Sequence, residues 1–209
     1  MSNKILFLDH DGVICLDNNW GGRSRKWKEY RKLNPDQQLL MLAPVEYRFD
    51  DFDKKAIKVL NEILEETGAE IVVSSDWRLH ATIDELGDYY IAQGISKRPL
   101  DGTRTYVDIR KDMPEGVEIA SQFYDGPFPY NRSEEYEQVR HLEILQYLKE
   151  HPEITHWVAI DDLDMGKIDE SWNYTHERKW GLTNFVKTPR ASEGIKQSGI
   201  KEKVLAFLS

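Results

Sequence analysis

A single cysteine, Cys15, stands among the 209 residues, so no internal disulfide can form and a reducing compartment is expected. No apolar run approaches the ~18 residues that a membrane-crossing helix needs. The apolar run in Met1 to Asp9 is too short for a signal peptide and ends on an acid. A cytoplasmic location with no membrane partner is the resulting expectation. Excess positive charge is missing as well: the formal net charge is -9. That argues against a protein that coats nucleic acid through its global field, although a local basic groove stays open. Acids gathered around a metal would produce the same count without repelling an anionic substrate once the cation is bound. Repeats and low-complexity tracts are absent. Hydrophobic residues at 40% and charged residues at 31% are ordinary for a globular protein. The length suits one domain, 1–209, with a modest insertion or a small cap.

Short apolar runs punctuate the chain. Lys4 to Leu8, Glu70 to Val73, Thr155 to Ile160 and Asn184 to Val186 read as strands. Helical spacing appears over Asp53 to Thr67 (Ala56, Ile57, Leu60, Ile63, Leu64), with Gly68 as C-cap. Helices are also expected over Thr82 to Gln93, closed by Gly94, and over Ile200 to Leu208. Another is expected over Glu134 to Glu150, burying Val139, Leu142, Ile144, Leu145 and Leu148 and stopped by His151-Pro152. Strands alternating with helices predict an α/β fold: a Rossmann-like parallel sheet with helices on both faces. Residues 17–52 are too long for an ordinary βα connection, and they read as an irregular cap or lid insertion over the first strand. Residues 95–133, rich in turn chemistry, read as a second irregular insertion.

Three strand ends carry polar clusters, where sites lie in such sheets. Asp9-x-Asp11-Gly12 offers two carboxylates that can turn into one pocket. One would attack phosphorus while the other gives a proton to the leaving oxygen and later activates water. Ser74-Ser75 offers hydroxyl and N–H groups to phosphate oxygens. Asp161-Asp162 offers hard oxygen ligands, and two adjacent acids after an apolar strand would be costly to leave without a cation. Several carboxylates repel a phosphate monoester unless a divalent cation neutralises them. Mg²⁺ held by Asp9, the Asp11 carbonyl and Asp162, with Asp161 beside them, would meet that need.

These motifs resemble the haloacid dehalogenase (HAD) superfamily of phosphohydrolases. The resemblance rests on Phe7-Leu8-Asp9-His10-Asp11-Gly12-Val13, Ile71-Val72-Val73-Ser74-Ser75-Asp76-Trp77-Arg78 and Trp157-Val158-Ala159-Ile160-Asp161-Asp162, in the superfamily's order. It implies Asp9 as nucleophile, Asp11 as general acid/base, Ser74 as phosphate ligand, and Asp162 with Asp161 as magnesium ligands. For the phosphate-neutralising cation it leaves Arg140 as first choice, with Lys149 and Arg78 as rivals. Ser-Ser-x-Trp-Arg and the Arg140-x-x-Glu143-Ile144 helix are similar to a subgroup associated with nucleic-acid end repair. The implied substrate is a nucleotide or a nucleic-acid end. A small-metabolite phosphatase and a catalytically idle binding module are the competing functions.

Each residue also has a blander reading. Ser75 equally suits capping the following turn, and Arg78 equally suits an ion pair. His10 is read as steering its loop, and Asp164 either as positioning the metal's waters or as a turn acid. Trp20 to Lys32 interleaves rings and cations: a solvated helix face, or a contact for single-stranded nucleic acid. Trp172, Tyr174 and Trp180 are read as packing residues.

Overall fold

A computed structural model of the chain describes residues 3–123, 135–166, 180–188 and 191–209. Five parallel strands form one sheet: β1 (Lys4–Leu8), β2 (Glu70–Val73), β3 (Asp101–Gly102), β4 (His156–Asp161) and β5 (Phe185–Lys187), in the order β3-β2-β1-β4-β5. The expected α/β architecture is therefore present, with β1 central. Its side chains alternate between the two faces, as the pleat requires. Leu6 and Leu8 join one core with Ile71, Val73, Val158 and Ile160, whereas Ile5 and Phe7 join another with Val72 and Ala159.

Each face has its own helices. α3 (Lys54–Thr67), α4 (Ile83–Gln93) and α7 (Ile200–Leu208) cover the first through Leu60, Ile63, Leu86, Tyr90 and Val204. Asp53 caps α3 by accepting from the Lys55 and Ala56 amides at 2.9 Å, and Gly68 ends it at a φ of 68°. α6 (Glu135–Glu150) covers the second face through Ile144 and Tyr147. The expected apolar face of α6 is present in part: Leu142 and Ile144 are buried, Leu145 and Leu148 pack half-buried against the core, and Val139 is half-buried. The polar residues Gln138, Arg140, His141 and Glu143 are buried as well, and Arg140 reaches the polar cleft.

Both segments read as irregular insertions hold regular structure that the sequence pattern does not reveal. Residues 17–52 contain α1 (Gly22–Leu33) and α2 (Val45–Arg48), and residues 95–123 contain β3 and α5 (Tyr106–Lys111); 124–133 lie outside the described residues. α1 buries no residue, so it has no apolar stripe to betray it. β3 is two residues long, which leaves no alternation to read. The 17–52 segment is tied to α4, where Arg48 binds Glu85 bidentately at 2.7 and 3.0 Å and Gln93 donates to Asp51 at 3.1 Å. Within the segment Lys26 binds Asp51 at 2.8 Å. Among the described residues, no helix is long and apolar enough to cross a membrane.

The loop after β1 is held from the far end of the chain, where Ile195 donates to the Val13 carbonyl at 2.9 Å. Gly194 and Gly199 both have positive φ, 52° and 86°. A Cβ at Gly194 would overlap the Val13 carbonyl, whereas one at Gly199 would meet nothing. Gly199→Ala should therefore cost about 1–2 kcal/mol, the backbone penalty alone. Gly194→Ala should cost ~2 kcal/mol more through overpacking. Urea denaturation of the two variants checks the difference, and equal losses would contradict the close packing at Val13.

Candidate active site

The parallel register sets the ends of three neighbouring strands level. Leu8 pairs with Val73 on one side and Ile160 on the other, so the next residues are Asp9, Ser74 and Asp161. The Asp9 amide donates to the Ile160 carbonyl at 3.1 Å, and the Ser74 amide to the Leu8 carbonyl at 2.9 Å. Carboxylate oxygens of Asp9, Asp161 and Asp162 lie within 4.8 Å of one another. Gly12 makes that approach feasible. Its φ is 72°, and a Cβ there would come 2.5 Å from Asp162 Oδ2. Beyond β5, Thr188 ties the same corner: its hydroxyl donates to the Gly12 carbonyl at 3.1 Å and its amide to the Asp161 carbonyl at 3.0 Å.

Arg140 reaches into the acids from α6. Its Nη1 binds Asp9 Oδ1 at 3.0 Å and Asp161 Oδ2 at 3.2 Å, and also the Ser74 carbonyl. Its Nη2 binds Asp76 at 2.9 Å. Burial opposes the Arg140 charge, but Asp9, Asp161, Asp76 and Glu143 outweigh it and hold its pKa above the ordinary arginine range. One guanidinium does not balance the cluster. Burial raises Asp9 to about 6, against the pull of Arg140 and with a push from Asp162. Burial and Asp9 raise Asp161 well above the carboxylate range, and burial and Asp11 raise Asp162.

The other expected residues divide. Asp11 lines the same cleft as Asp9, Asp162 and Arg140, and its Oδ2 accepts from Trp77 Nε1 at 2.9 Å. Its carboxylate is not among the three that converge. Ser74 Oγ is buried with no hydrogen-bond partner among the described residues. Ser75 lines the cleft but also caps the turn that follows, accepting from the Trp77 amide at 3.4 Å. Arg78 stands outside the cleft lining, and all three of its guanidinium nitrogens are committed. They bind the Thr103 carbonyl at 2.9 Å, the Ser75 carbonyl at 2.6 Å and Glu143. Lys149 is exposed and bonded to Gln122. Asp164 pairs with Lys187 at 3.4 Å.

His10 is fully buried, with Nε2 2.5 Å from the Tyr90 hydroxyl and its ring 4.6 Å from Trp77. Burial and the charges of Arg140 and Arg78 push it down to about 3, so it is neutral at neutral pH. Its carbonyl accepts three amides, from Val13, Ile14 and Cys15, which shapes the loop. Trp180 is buried against His141, as a packing residue would be; Trp172 and Tyr174 lie outside the described residues. Three residues of the site escape a reading of the sequence: Asp76 as the second partner of Arg140, Trp77 as the holder of Asp11, and Tyr136 on the cleft wall. For Trp77 the available signal is its place three residues after Ser74, inside the Ser-Ser-x-Trp-Arg motif.

The raised Asp9 carries a sign that can be measured. Unfolded, it gives up its proton near pH 4; folded, it keeps it to about 6. The unfolded state therefore binds fewer protons in that window, and ionising Asp9 removes stability as pH rises through it. In EDTA, Asp9→Asn should gain stability relative to wild type between pH 4 and pH 7, by up to about 3 kcal/mol. Urea unfolding of both proteins at each pH reads the difference. A difference that stays flat would mean that burial costs the ionised acid nothing.

Comparison with known proteins gives the family of the chain. Residues 5–197 match a family described as the HAD domain in Swiss Army Knife RNA repair proteins. No curated protein and no solved structure matches the chain. The chain belongs to the HAD superfamily, in the family of the HAD domain of Swiss Army Knife RNA repair proteins, and that membership implies a phosphohydrolase.

Proposed function

We propose that the protein is a phosphomonoesterase that forms an aspartyl-phosphate on Asp9 and acts on a terminal phosphate of a nucleotide or nucleic acid. The convergence of three carboxylate oxygens within 4.8 Å around one buried arginine is the observation that carries this reading. The family's description, RNA repair, supports the substrate class.

The donor set fits magnesium. It consists of hard oxygens, and two of the three carboxylates are buried, where a bound cation would offset their charge. Asp9, Asp161 and Asp162 would hold the ion, with the Asp11 carbonyl as a further donor. When bound, magnesium neutralises the acids and polarises the phosphoryl group.

The chain's own residues supply the rest. An Asp9 oxygen attacks phosphorus as the bond to the leaving oxygen breaks, and Asp11 passes its proton to that oxygen, releasing an alcohol. Asp11 then takes a proton from water, which attacks phosphorus and breaks the bond to Asp9. Inorganic phosphate leaves and both acids return to their starting forms. The Trp77 hydrogen bond keeps Asp11 aimed into the cleft. Ser74 Oγ, buried and unpartnered among the described residues, is suited to donate to a phosphate oxygen. Arg140 offers the remaining positive charge, while Arg78 braces the turn between Ser75 and Glu143.

Two substitutions separate the acids' roles. With p-nitrophenyl phosphate, whose leaving group needs little protonation, Asp11→Asn should release about one equivalent of p-nitrophenol quickly and then turn over ~10²–10⁴-fold more slowly. Asp9→Asn should show no burst and lose activity by about 10³-fold or more. Turnover retained in Asp9→Asn would overturn the nucleophile. Removing Mg²⁺ with EDTA should stop phosphate release in the wild type. Among 3′- and 5′-phosphorylated oligonucleotides, nucleotides and sugar phosphates at matched concentration, the nucleotide or oligonucleotide esters should have the higher kcat/KM. A sugar phosphate in first place would favour the small-metabolite phosphatase, and no turnover on any ester would favour the idle binding module.

A further inference from the structure

Asp11 stands on the wall between two hollows. One is the cleft with Asp9, Asp162 and Arg140; the other, lined by Trp20, Arg23, Ser24, Asp50 and Trp77, shares Asp11 but not Asp9. Their volumes are about 160 and 330 Å³, and the larger one reaches the low end of small-molecule pockets, ~300–1,000 Å³. Nothing in the chemistry at Asp9 uses it.

Its walls select for a particular chemistry. Trp77 is fixed at both ends, its ring nitrogen on Asp11 and its face stacked on Phe49 at 4.3 Å. Trp20 donates its ring N–H to the Cys15 carbonyl at 3.2 Å, which sets the indole's direction while 49% of the residue stays exposed. The start of α1 is not open to an anion. Buried Asp50 already accepts from the Gly21 and Arg23 amides, at 3.2 and 2.5 Å, so a second negative group would meet a carboxylate. An uncharged ring suits the hollow beside Asp50, and a phosphate finds a cation only at its rim. Arg23 is exposed at its rim, and among the described residues no carboxylate forms an ion pair with it. Its neighbour Lys26 is instead committed to Asp51.

If Asp11 protonates the leaving oxygen, as proposed above, the leaving group must extend past Asp11 and away from Asp9. We infer that the hollow between Asp11 and α1 is the leaving-group subsite. It takes the nucleoside next to the scissile phosphate against Trp20, with the following phosphodiester against Arg23. This inference rests on the proposed role of Asp11, and its test is chosen to be independent of turnover.

The experiment uses the full chain carrying Asp9→Asn, titrated with a terminally phosphorylated trinucleotide and, separately, with inorganic phosphate, by calorimetry. Adding Trp20→Ala should weaken the trinucleotide about 10-fold, within the range for loss of one base–aromatic stack. Inorganic phosphate should change less than about 2-fold, which also shows that the site is still folded. Trp20→Phe should restore most of the affinity. Arg23→Ala should weaken the trinucleotide and flatten its salt dependence by about 0.7 in the log–log slope, the value for one contact to a single strand. Arg25→Ala should leave both unchanged. Equal losses for both ligands, or no loss for either, would overturn the subsite. A wild-type chain that binds the trinucleotide no better than inorganic phosphate would overturn its occupant. Turnover surviving in Asp9→Asn would instead refute the nucleophile and leave the binding comparison to decide the subsite.

Discussion

Three carboxylate oxygens lie within 4.8 Å of one another, drawn from two strand ends and walled off from most of the solvent, and burial, with their mutual repulsion added, raises their pKa values. The arrangement persists because one guanidinium is threaded among them. Arg140 spans Asp9, Asp161, Asp76 and the Ser74 carbonyl, and so touches the ends of β1, β2 and β4 at once. Removing one partner from such a buried set leaves uncompensated charge, the expensive case for buried ion pairs. The rest of the site is organised around bringing that arginine in. α6 buries polar residues near its middle because Arg140 must reach the acids and Glu143 must reach Arg78. Leu142, Ile144 and Tyr147 pack into hydrophobic clusters beside them.

The sheet prepares this convergence before any catalytic residue is considered. Parallel pairing in matched register places Asp9, Ser74 and Asp161 side by side as the next residues of neighbouring strands. Alternation then sends Leu8, Val73 and Ile160, the last strand residues before them, into one core. Polar groups crowd the carboxyl end of the sheet because the pleat has run out of apolar positions there. Gly12 completes the geometry by giving up its side chain to the approach of Asp162.

Much of this is legible in the sequence, and what is not follows a physical pattern. β1, β2, β4, α3 and α4 announce themselves because each buries a run or a periodic face of apolar residues. α1 does not, because it buries nothing, and β3 does not, because two residues define no period. Asp9, Asp11, Ser74, Asp161 and Asp162 can be nominated because they follow directly on apolar strands, at the end of a parallel sheet where ligands bind. The residues that hold them are harder to find. Trp77 on Asp11, Tyr90 on His10, Asp76 on Arg140 and Asp50 on α1 act across 66, 80, 64 and about 30 residues of chain. Local patterning carries no information over such separations, and each partner belongs to a residue type that has ordinary structural uses.

The two buried arginines show why geometry decides what composition leaves open. Arg78 and Arg140 are both nine-tenths buried or more at the side chain, and both have the charge to meet a phosphate. Arg78 satisfies its guanidinium on two carbonyls and on Glu143, so turning toward a substrate would strand buried acceptors. Arg140 binds the Ser74 carbonyl as well, but most of its partners are acids, Asp9, Asp161 and Asp76. A lysine could not play either part, since one ammonium cannot hold a fixed planar fork against acceptors on different elements. The same guanidinium chemistry thus braces a turn in one place and balances a cluster of acids in the other. The difference lies in the acceptors around it: mostly carbonyls for Arg78, mostly carboxylates for Arg140.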